Sequence, residues 1–205
     1  NIQLDEVPQM QTFLTEQGME VPRFVPLVRA RMTAINGQDV SQVSFEDPQG
    51  ERWAKRESNL SFGEQLQTGN ELTEGEWWQP GTTQHEVSVE TDFGLDLGLK
   101  LGDVLDFDIA GEPVSATVTS FRTVEWDTFQ PNFFMVFSTA TLEGYPASYI
   151  TALYAKADDD KKMLELMRRF PSVTVIDLDA TLAQVRDVMD KASMAVQAVF
   201  LFTLI

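Results

Sequence analysis

Over the first 45 residues of the chain, apolar side chains first recur at helical spacing and then at strand spacing. Asp5 can cap a helix whose apolar positions recur every three or four residues until Gly18 ends it. Residues 24–35 are predicted to form a strand. Asn36-Gly37 is a strong hairpin turn signal, so residues 38–45 are predicted to form the returning strand.

The same order recurs toward the C-terminal side. Residues 149–155 predict a strand, Asp158 or Asp159 can cap an amphipathic helix that Pro171 stops, and residues 173–176 predict a further strand. Each arm alone would leave an apolar sheet face uncovered. Placed side by side, the two arms predict an α+β fold with a ferredoxin-like split β-α-β platform, both helices lying on one face.

The middle of the chain has a different texture. Residues 47–81 are rich in Gly, Pro, Gln and Glu with weak periodicity, so they are predicted to be mostly loop, with a short strand near 59–62. Beyond them, strands and one short helix are predicted at 86–89, 90–97 (the helix), 105–109, 114–124 and 133–137. The platform is therefore predicted to comprise residues 1–45 and 147–191, with residues 46–146 as a β-rich insertion.

The last predicted helix begins at Asp179 and continues without Gly or Pro. Its apolar positions alternate steps of three and four, as in a coiled-coil seam. They are Leu182, Val185, Met189, Ala192, Val196 and Val199. Residues 192–205 carry no charge and would supply about two-thirds of the ~20 residues of a membrane-spanning helix. We expect a stalk that runs into a truncated transmembrane segment; the alternative is a buried C-terminal helix.

Charge excludes one class of partner. The 205 residues carry a formal net charge of −17, so binding to nucleic acid is disfavoured, and close contact of the whole chain with an anionic leaflet is disfavoured as well. The chain has no Cys, which removes disulfides and thiolate chemistry without fixing the compartment.

Candidate chemistry is sparse. His85 is the sole His, and no G-x-S-x-G elbow accompanies it, so a surface His is favoured over a catalytic base. Asp103, Asp106 and Asp108 lack the spacing of a calcium loop, and a solvated strand face is favoured over a metal site. No cofactor fingerprint is present.

Large aromatic residues in turn-rich segments are the remaining candidates. Trp77, Trp78, Trp126 and Phe129 must either fold back onto a core or face a partner. Satellite core packing is the favoured interpretation. The functional alternative is contact with a hydrophobic substrate or with a partner protein.

Several short phrases, in one order over nearly the whole chain, resemble the FtsX-like (MacB-type) ABC transporter permeases, with YbbP-type permeases as the nearest members. The phrases are residues 56–61 (RESNLS), 74–78 (EGEWW), 97–103 (LGLKLGD), 107–111 (FDIAG), 126–127 (WD), 131–134 (PNFF) and 168–171 (RRFP).

The resemblance implies a large periplasmic domain of a bacterial inner-membrane permease, built from a porter-like platform and a sabre-like β-rich insertion. It implies a separate cytoplasmic ATP-binding subunit, mechanotransmission through long helices, and a hydrophobic or lipid-like substrate. A periplasmic lysophospholipase or thioesterase partner is associated with the YbbP type. The rival hypotheses are a soluble periplasmic hydrolase built around His85 and a passive module that only recruits a partner.

Overall fold

The computed structural model describes residues 1–128, 130–156 and 158–176. Within them the chain is α+β, as predicted. The helices are α1 (Glu6–Glu16), α2 (Pro48–Lys55), α3 (Thr91–Leu97), α4 (Thr139–Leu142) and α5 (Asp160–Arg169). The strands are β1 (Val25–Ile35), β2 (Gln38–Asp39), β3 (Glu57–Phe62), β4 (Asn70–Gly75), β5 (Glu86–Glu90), β6 (Val104–Ile109), β7 (Glu112–Val124), β8 (Met135–Phe137) and β9 (Ser148–Ile150).

Six of the strands close into a ring, in the order β1-β3-β8-β5-β7-β6 and back to β1. Two of the joints, β3 with β8 and β5 with β7, are parallel, and the other four are antiparallel. Closure removes the free edges of these six strands. The short β2 and the edge strand β4 attach outside the ring.

The inside of this ring is the main hydrophobic core. Alternate residues of each strand point inward, as a period of two requires. In β1 these are Val28, Ala30 and Met32, all at most 3% exposed, and in β6 they include Leu105 and Phe107. The fully buried side chains pack to form a filled interior.

A second group of elements lies beside the ring. β9 pairs with the first residues of β1, and Ile2 makes an antiparallel bridge to Tyr149 in β9. α1 and α5 pack together over this three-stranded patch, with Phe13 against Phe170 in an edge-to-face contact at 6.2 Å. The two predicted arms therefore contact one another here, but the predicted split β-α-β platform is incomplete because residues 173–176 add no strand.

β1 connects the two groups because it belongs to both. Val25, Pro26 and Leu27 pair with β9, whereas residues 28–35 pair with β3 and β6 inside the ring. No loop separates the two halves of this strand of 11 residues. The two groups therefore share one uninterrupted backbone segment.

One helix lies where a loop was predicted. Asp47 accepts a hydrogen bond from the amide of Gln49 at 2.7 Å, and Pro48 occupies the first turn of α2. A β-carbon at Gly50 would lie 2.0 Å from the carbonyl oxygen of Asp96, so glycine is what allows α2 to approach α3. The prediction of mostly loop for residues 47–81 was wrong also at β4, whereas the short strand predicted near 59–62 is present as β3.

Three predicted strands differ from the observed ones. The return strand of the first hairpin is only β2, and the strand at 149–155 is only β9, since both then turn away from their partner. The prediction of a strand at 173–176 was wrong. There the amide of Val173 donates to the carbonyl of Phe170 in a turn, and its side chain packs onto the α1–α5 cluster instead of joining a sheet.

Several predicted features lie outside the described residues. These are Phe129, the seam positions Leu182, Val185, Met189, Ala192, Val196 and Val199, and the apolar segment 192–205. Among the described helices, none has the length and apolarity needed to cross a bilayer. The predicted boundaries of platform and insertion stay predictions.

Replacement of Gly50 by Ala tests the close approach of α2 and α3. In an ordinary helix this change stabilises by about 1 kcal/mol. At this position we expect a loss of about 1–3 kcal/mol in the free energy of unfolding, because the new methyl overlaps the backbone of Asp96. Urea unfolding of the variant and of the wild type measures this difference in the free energy of unfolding.

Gly63→Ala is the matched control, since the nearest atom to its added β-carbon is 3.5 Å away. A Gly50→Ala protein as stable as the wild type would contradict the described contact between the two helices.

Candidate functional site

The segment after β4 crosses the outer face of the ring as a strap, defined as residues 76–81. Trp77 and Trp78 stack with ring centroids 3.9 Å apart. Their indole nitrogens donate to the carbonyls of Glu64 at 3.1 Å and Gly63 at 3.0 Å, just beyond the end of β3. Both indole N–H groups therefore have hydrogen-bond partners within the protein, and these bonds fix the strap to the segment that follows β3.

A row of small side chains lies along the face that this strap covers. Trp78 packs against Val136 of β8, whose cross-strand neighbours are Ser61 and Ser88, and Ser88 is paired in turn with Ser120. All three serines are fully buried, and their hydroxyls have no hydrogen-bond partner among the described residues. Small residues allow the indole to approach the sheet, at the cost of unsatisfied hydroxyls.

The strap is closed by a carboxylate. Glu64 accepts from the amide of Gly81 at 2.7 Å. Hydrogen bonds from Thr139 and from this amide hold the pKa of Glu64 below its ordinary value. The folded state therefore binds this proton less readily than the unfolded chain does. The contribution of Glu64 to stability is therefore fully present above the ordinary carboxyl pKa and is lost as the pH falls through the lowered value.

A second aromatic group lies near the ends of β7 and α2. Phe134 contacts Trp53, Phe93 and Trp126 with centroid distances of 5.1, 5.0 and 4.9 Å. Trp53 donates to Asp96 at 3.0 Å, and the guanidinium of Arg56 lies 3.9 Å from its ring centroid. Trp126 keeps 50% of its surface exposed, so this group reaches solvent at one end.

A buried guanidinium supports the aromatic group from below. Arg122 is 1% exposed and donates to the carbonyls of Ser88, Phe133 and Phe134. Burial lowers the pKa of Arg122 to about 10, and the charge of Glu90 opposes the shift, so the guanidinium is protonated at neutral pH. Glu90 caps α3 through the amide of Phe93. The guanidinium therefore fixes the segment that carries Phe134.

The geometry gives no support to hydrolytic chemistry at His85. This exposed side chain borders a shallow groove of about 300 Å³ with Ser115 and Thr117. Ser115 donates its hydroxyl to Asp106 and not to the imidazole. Within the described part of the chain, His85 makes no side-chain hydrogen bond of the kind that a catalytic base needs, and no acidic cluster of metal-binding geometry is present.

The predicted aromatic candidates divide into two places. Trp78 is 4% exposed and Trp77 is half-buried, and both belong to the strap. Trp126 belongs to the exposed end of the second group, and Phe129 lies outside the described residues. Sequence reasoning missed Trp53 and Arg122. Asp47-Pro48 ahead of Trp53 was the available signal, because a capped helix would have placed that ring on a defined face.

Comparison with known proteins identifies a permease as a relative of this chain. Across 185 residues the chain is 32% identical to the ABC transporter permease YbbP of Escherichia coli (strain K12), a protein described as uncharacterized. The matched region is 90% of this chain and 22% of that relative. This chain is related to the ABC transporter permeases. The predicted relationship is confirmed, for a segment that spans about a fifth of the length of YbbP.

Two further comparisons add little. A domain of a protein assigned as a permease in Porphyromonas gingivalis aligns with 78% of this chain and 75% of its own, at 12% identity and a TM-score of 0.35. This TM-score is too low to indicate a shared fold. No family model matches the chain.

Alanine substitutions distinguish the two aromatic places in this permease segment. Trp78→Ala removes a buried ring and should lower the free energy of unfolding by about 3–5 kcal/mol. Trp126→Ala should cost about 1 kcal/mol or less, because half of its surface is already in water. Urea unfolding followed by circular dichroism gives both values, and equal losses would contradict the assignment.

Replacement of Arg122 tests the buried guanidinium. Arg122→Met leaves three carbonyl groups without their donor and Glu90 without a nearby positive charge, so we expect a loss of about 3–5 kcal/mol in unfolding free energy. The same substitution at the exposed Arg29 is the control and should stay within about 0.5 kcal/mol. Similar stabilities of the two variants would show that the guanidinium does not fix the Phe133–Phe134 backbone.

Proposed function

We propose that the chain is the periplasmic domain of an inner-membrane ABC permease subunit and that it transmits ATP-driven motion to a hydrophobic or lipid-like substrate. In this proposal α1, α5, β9 and β1 belong to the porter-like platform, and residues 46–146, which supply the other five strands of the ring, form the sabre-like insertion. The chain itself carries no catalysis, and ATP hydrolysis belongs to a separate cytoplasmic subunit.

The observation that carries the proposal is the continuity of β1. Motion that reaches α5 would pass to β9 through the cluster around Phe170, and from β9 to β1 through their backbone pairing. The remainder of β1 is held by β3 and β6, so the ring would have to follow. A device that transmits displacement needs such a connection without a hinge.

Packing on both faces stiffens this junction. One face of the three-stranded patch carries the cluster of α1 and α5. The other face presents Val25, Leu27 and Ile150 to Trp78 and Phe133, which belong to the insertion. Both faces are therefore covered, and independent movement of the platform would separate Trp78 from its neighbours. This arrangement supports coupled motion in preference to a flexible tether.

Recruitment of a periplasmic partner is the second candidate. Trp126 favours it, since an indole that is 50% exposed and supported by Phe134 is typical of a contact residue. A lysophospholipase or thioesterase is the partner class that the family resemblance suggests. Recruitment and transmission use different surfaces and can coexist in one domain.

A reversible cross-link across the junction tests transmission. Leu27 and Ser148 are cross-strand partners in β1 and β9, and the chain has no Cys of its own. A Leu27→Cys, Ser148→Cys pair would be introduced into the full-length permease and reconstituted with its ATP-binding subunit. Because the proposal requires β1 and β9 to move as one body, oxidation should leave ATP hydrolysis unchanged in this pair. With Trp78→Ala added to loosen the junction, ATP hydrolysis should fall several-fold, and oxidation should restore it.

The control pair is Asp106→Cys with Ser115→Cys, which joins β6 to β7 within the ring. Placed in the Trp78→Ala protein, this pair should not restore the ATPase rate, because it lies within the ring. Inhibition of the permease that retains Trp78 by the junction cross-link would show that β1 and β9 slide past one another, and it would refute transmission through a rigid junction. A Trp78→Ala rate that the junction cross-link does not restore would favour the passive recruitment module.

A further inference from the structure

β4 has one unpaired edge. It is the last strand on its side of the sheet, and among the described residues β7 is its only neighbouring strand. Residues 71–75, which we name the β4 edge, are all exposed, so side chains on both faces of the strand reach solvent. An unpaired edge of this kind offers backbone N–H and C=O groups to another extended chain.

Two residues of β4 direct their backbone groups to the unpaired side. The amide of Asn70 is bonded to the carbonyl of Gln67 and not to β7, whereas the amide of Glu76 donates to a carbonyl of β7. Positions that face the partner strand alternate with positions that face away from it. Leu72 and Gly75 therefore present their N–H and C=O groups outward, on either side of the bulge that separates them.

Exposed apolar side chains of the ring lie on the elements around this edge. Between residues 25 and 150, the described part of the chain has four large hydrophobic side chains that are substantially exposed. One of them is Leu72 in β4 itself, which is 39% exposed. Another is Trp126, which follows the end of β7 that pairs with the start of β4.

The other two belong to α3 and to the turn that follows it. The hydroxyls of Thr91 in α3 and Thr73 in β4 lie 2.9 Å apart, and Leu95 is one helical turn beyond Thr91. A methyl carbon of Leu101 lies 3.0 Å from the position of a β-carbon added to Gly75. Apolar surface and unpaired backbone groups therefore occur together at the β4 edge, as a strand-binding site requires.

The charge around the β4 edge is predominantly negative. Seven acidic residues lie on β4, on α3 and just after β4 and β7: Glu71, Glu74, Glu76, Asp92, Asp96, Glu125 and Asp127. A basic partner segment is therefore favoured, and an anionic lipid surface is repelled.

Few cations offset these carboxylates. On the same segments the bases are Lys100, in the turn after α3, and Arg122, whose guanidinium is buried and bonded to carbonyl groups. α2 packs on α3, but Arg52, Lys55 and Arg56 each contact a side chain of their own segment. The negative excess at the β4 edge therefore persists when the neighbouring elements are included.

This charge argues against a second copy of the chain as the occupant. Pairing of two β4 strands would bring Glu71 and Glu74 close to the same carboxylates of the other copy, and like charges opposite one another destabilise a strand pair. Charged side chains and a bulge commonly protect edge strands from such self-association. They do not repel a strand of opposite charge.

We propose that the β4 edge binds an extended basic segment of a partner protein by strand addition. Leu72 and Gly75 would exchange backbone hydrogen bonds with that segment. Side chains directly opposite in a strand pair lie on the same face, so basic residues would lie opposite Glu71 and Glu74, and an apolar residue opposite Leu72. The inference rests on the recruitment role proposed above and assigns that role a surface bordered by Trp126.

A synthetic peptide tests the edge in the full-length permease. The permease would be held in phosphatidylcholine nanodiscs, which carry no net lipid charge, and titrated with a fluorescent peptide of ten alternating Lys and Val residues with blocked ends. One control is the same peptide N-methylated at every central amide, which keeps the charge but cannot form a strand pair. The other control is a peptide of alternating Glu and Val residues.

We expect the Lys–Val peptide to bind several-fold more tightly than either control. Glu71→Gln with Glu74→Gln should weaken its binding several-fold. Glu16→Gln with Glu20→Gln, an equally exposed acidic pair near the end of α1, is the matched control and should leave binding unchanged. Amide hydrogens of residues 71–75 should exchange more slowly when the peptide is present.

Three results would overturn the proposal. Equal binding of the N-methylated peptide would show that charge alone attracts it. Absence of binding, or slower exchange at residues other than the β4 edge, would show that this edge does not accept a strand. Protection of residues 71–75 without peptide, increasing with permease concentration, would show that a second copy occupies the edge.

The ATPase measurements report separately on the proposed function. A Trp78→Ala rate that the β1–β9 cross-link restores, in a permease that binds no peptide, would reject strand addition alone. Peptide binding at the β4 edge, with a rate that the cross-link does not restore, would reject transmission and leave strand addition standing.

Discussion

The continuous backbone of β1 is the constraint on which the remaining arrangement depends. Phe24, which precedes β1, packs into the helical cluster, and Val28, Ala30 and Met32 on the same face point into the ring. The opposite face supplies Val25 and Leu27 to the cluster that contains Trp78. Because side chains alternate strictly along a strand, a slip of one residue would exchange these environments. Three packed clusters therefore fix one register, and that register determines how the platform and the ring are joined.

Local signals in the sequence predicted the local elements well. Asp5 and Gly18 bound α1, Asn36-Gly37 forms its turn with both residues at positive φ, and the alternation in residues 105–109 gives β6. Closure of the ring was not predictable in the same way. It depends on parallel pairing of β3 with β8 and of β5 with β7, which joins segments that are distant along the chain. Periodicity reports the face of a strand and does not report its neighbour.

The candidate site shows the same division between composition and context. The sequence identified Trp77, Trp78 and Trp126 as unusual, but it could not separate an indole that donates to a carbonyl under a strap from one that reaches solvent. That difference arises from where the chain crosses the sheet. The burial of Arg122 could not be predicted from the sequence for a related reason. A lone Arg at the end of a strand is ordinarily exposed, and only the approach of residues 133–134 encloses it among carbonyl oxygens.

The three buried serine hydroxyls along the covered face have a consequence for local opening. If this face were lined with Val or Ile, detachment of the Trp77–Trp78 pair would expose only apolar side chains, and no new hydrogen bonds to water would form. Here, Ser61, Ser88 and Ser120 would each be solvated at once, which offsets part of the free energy needed to expose the rings. Partial detachment of this segment is therefore less costly than its burial suggests, and amide hydrogens around it should exchange with solvent well before those inside the ring.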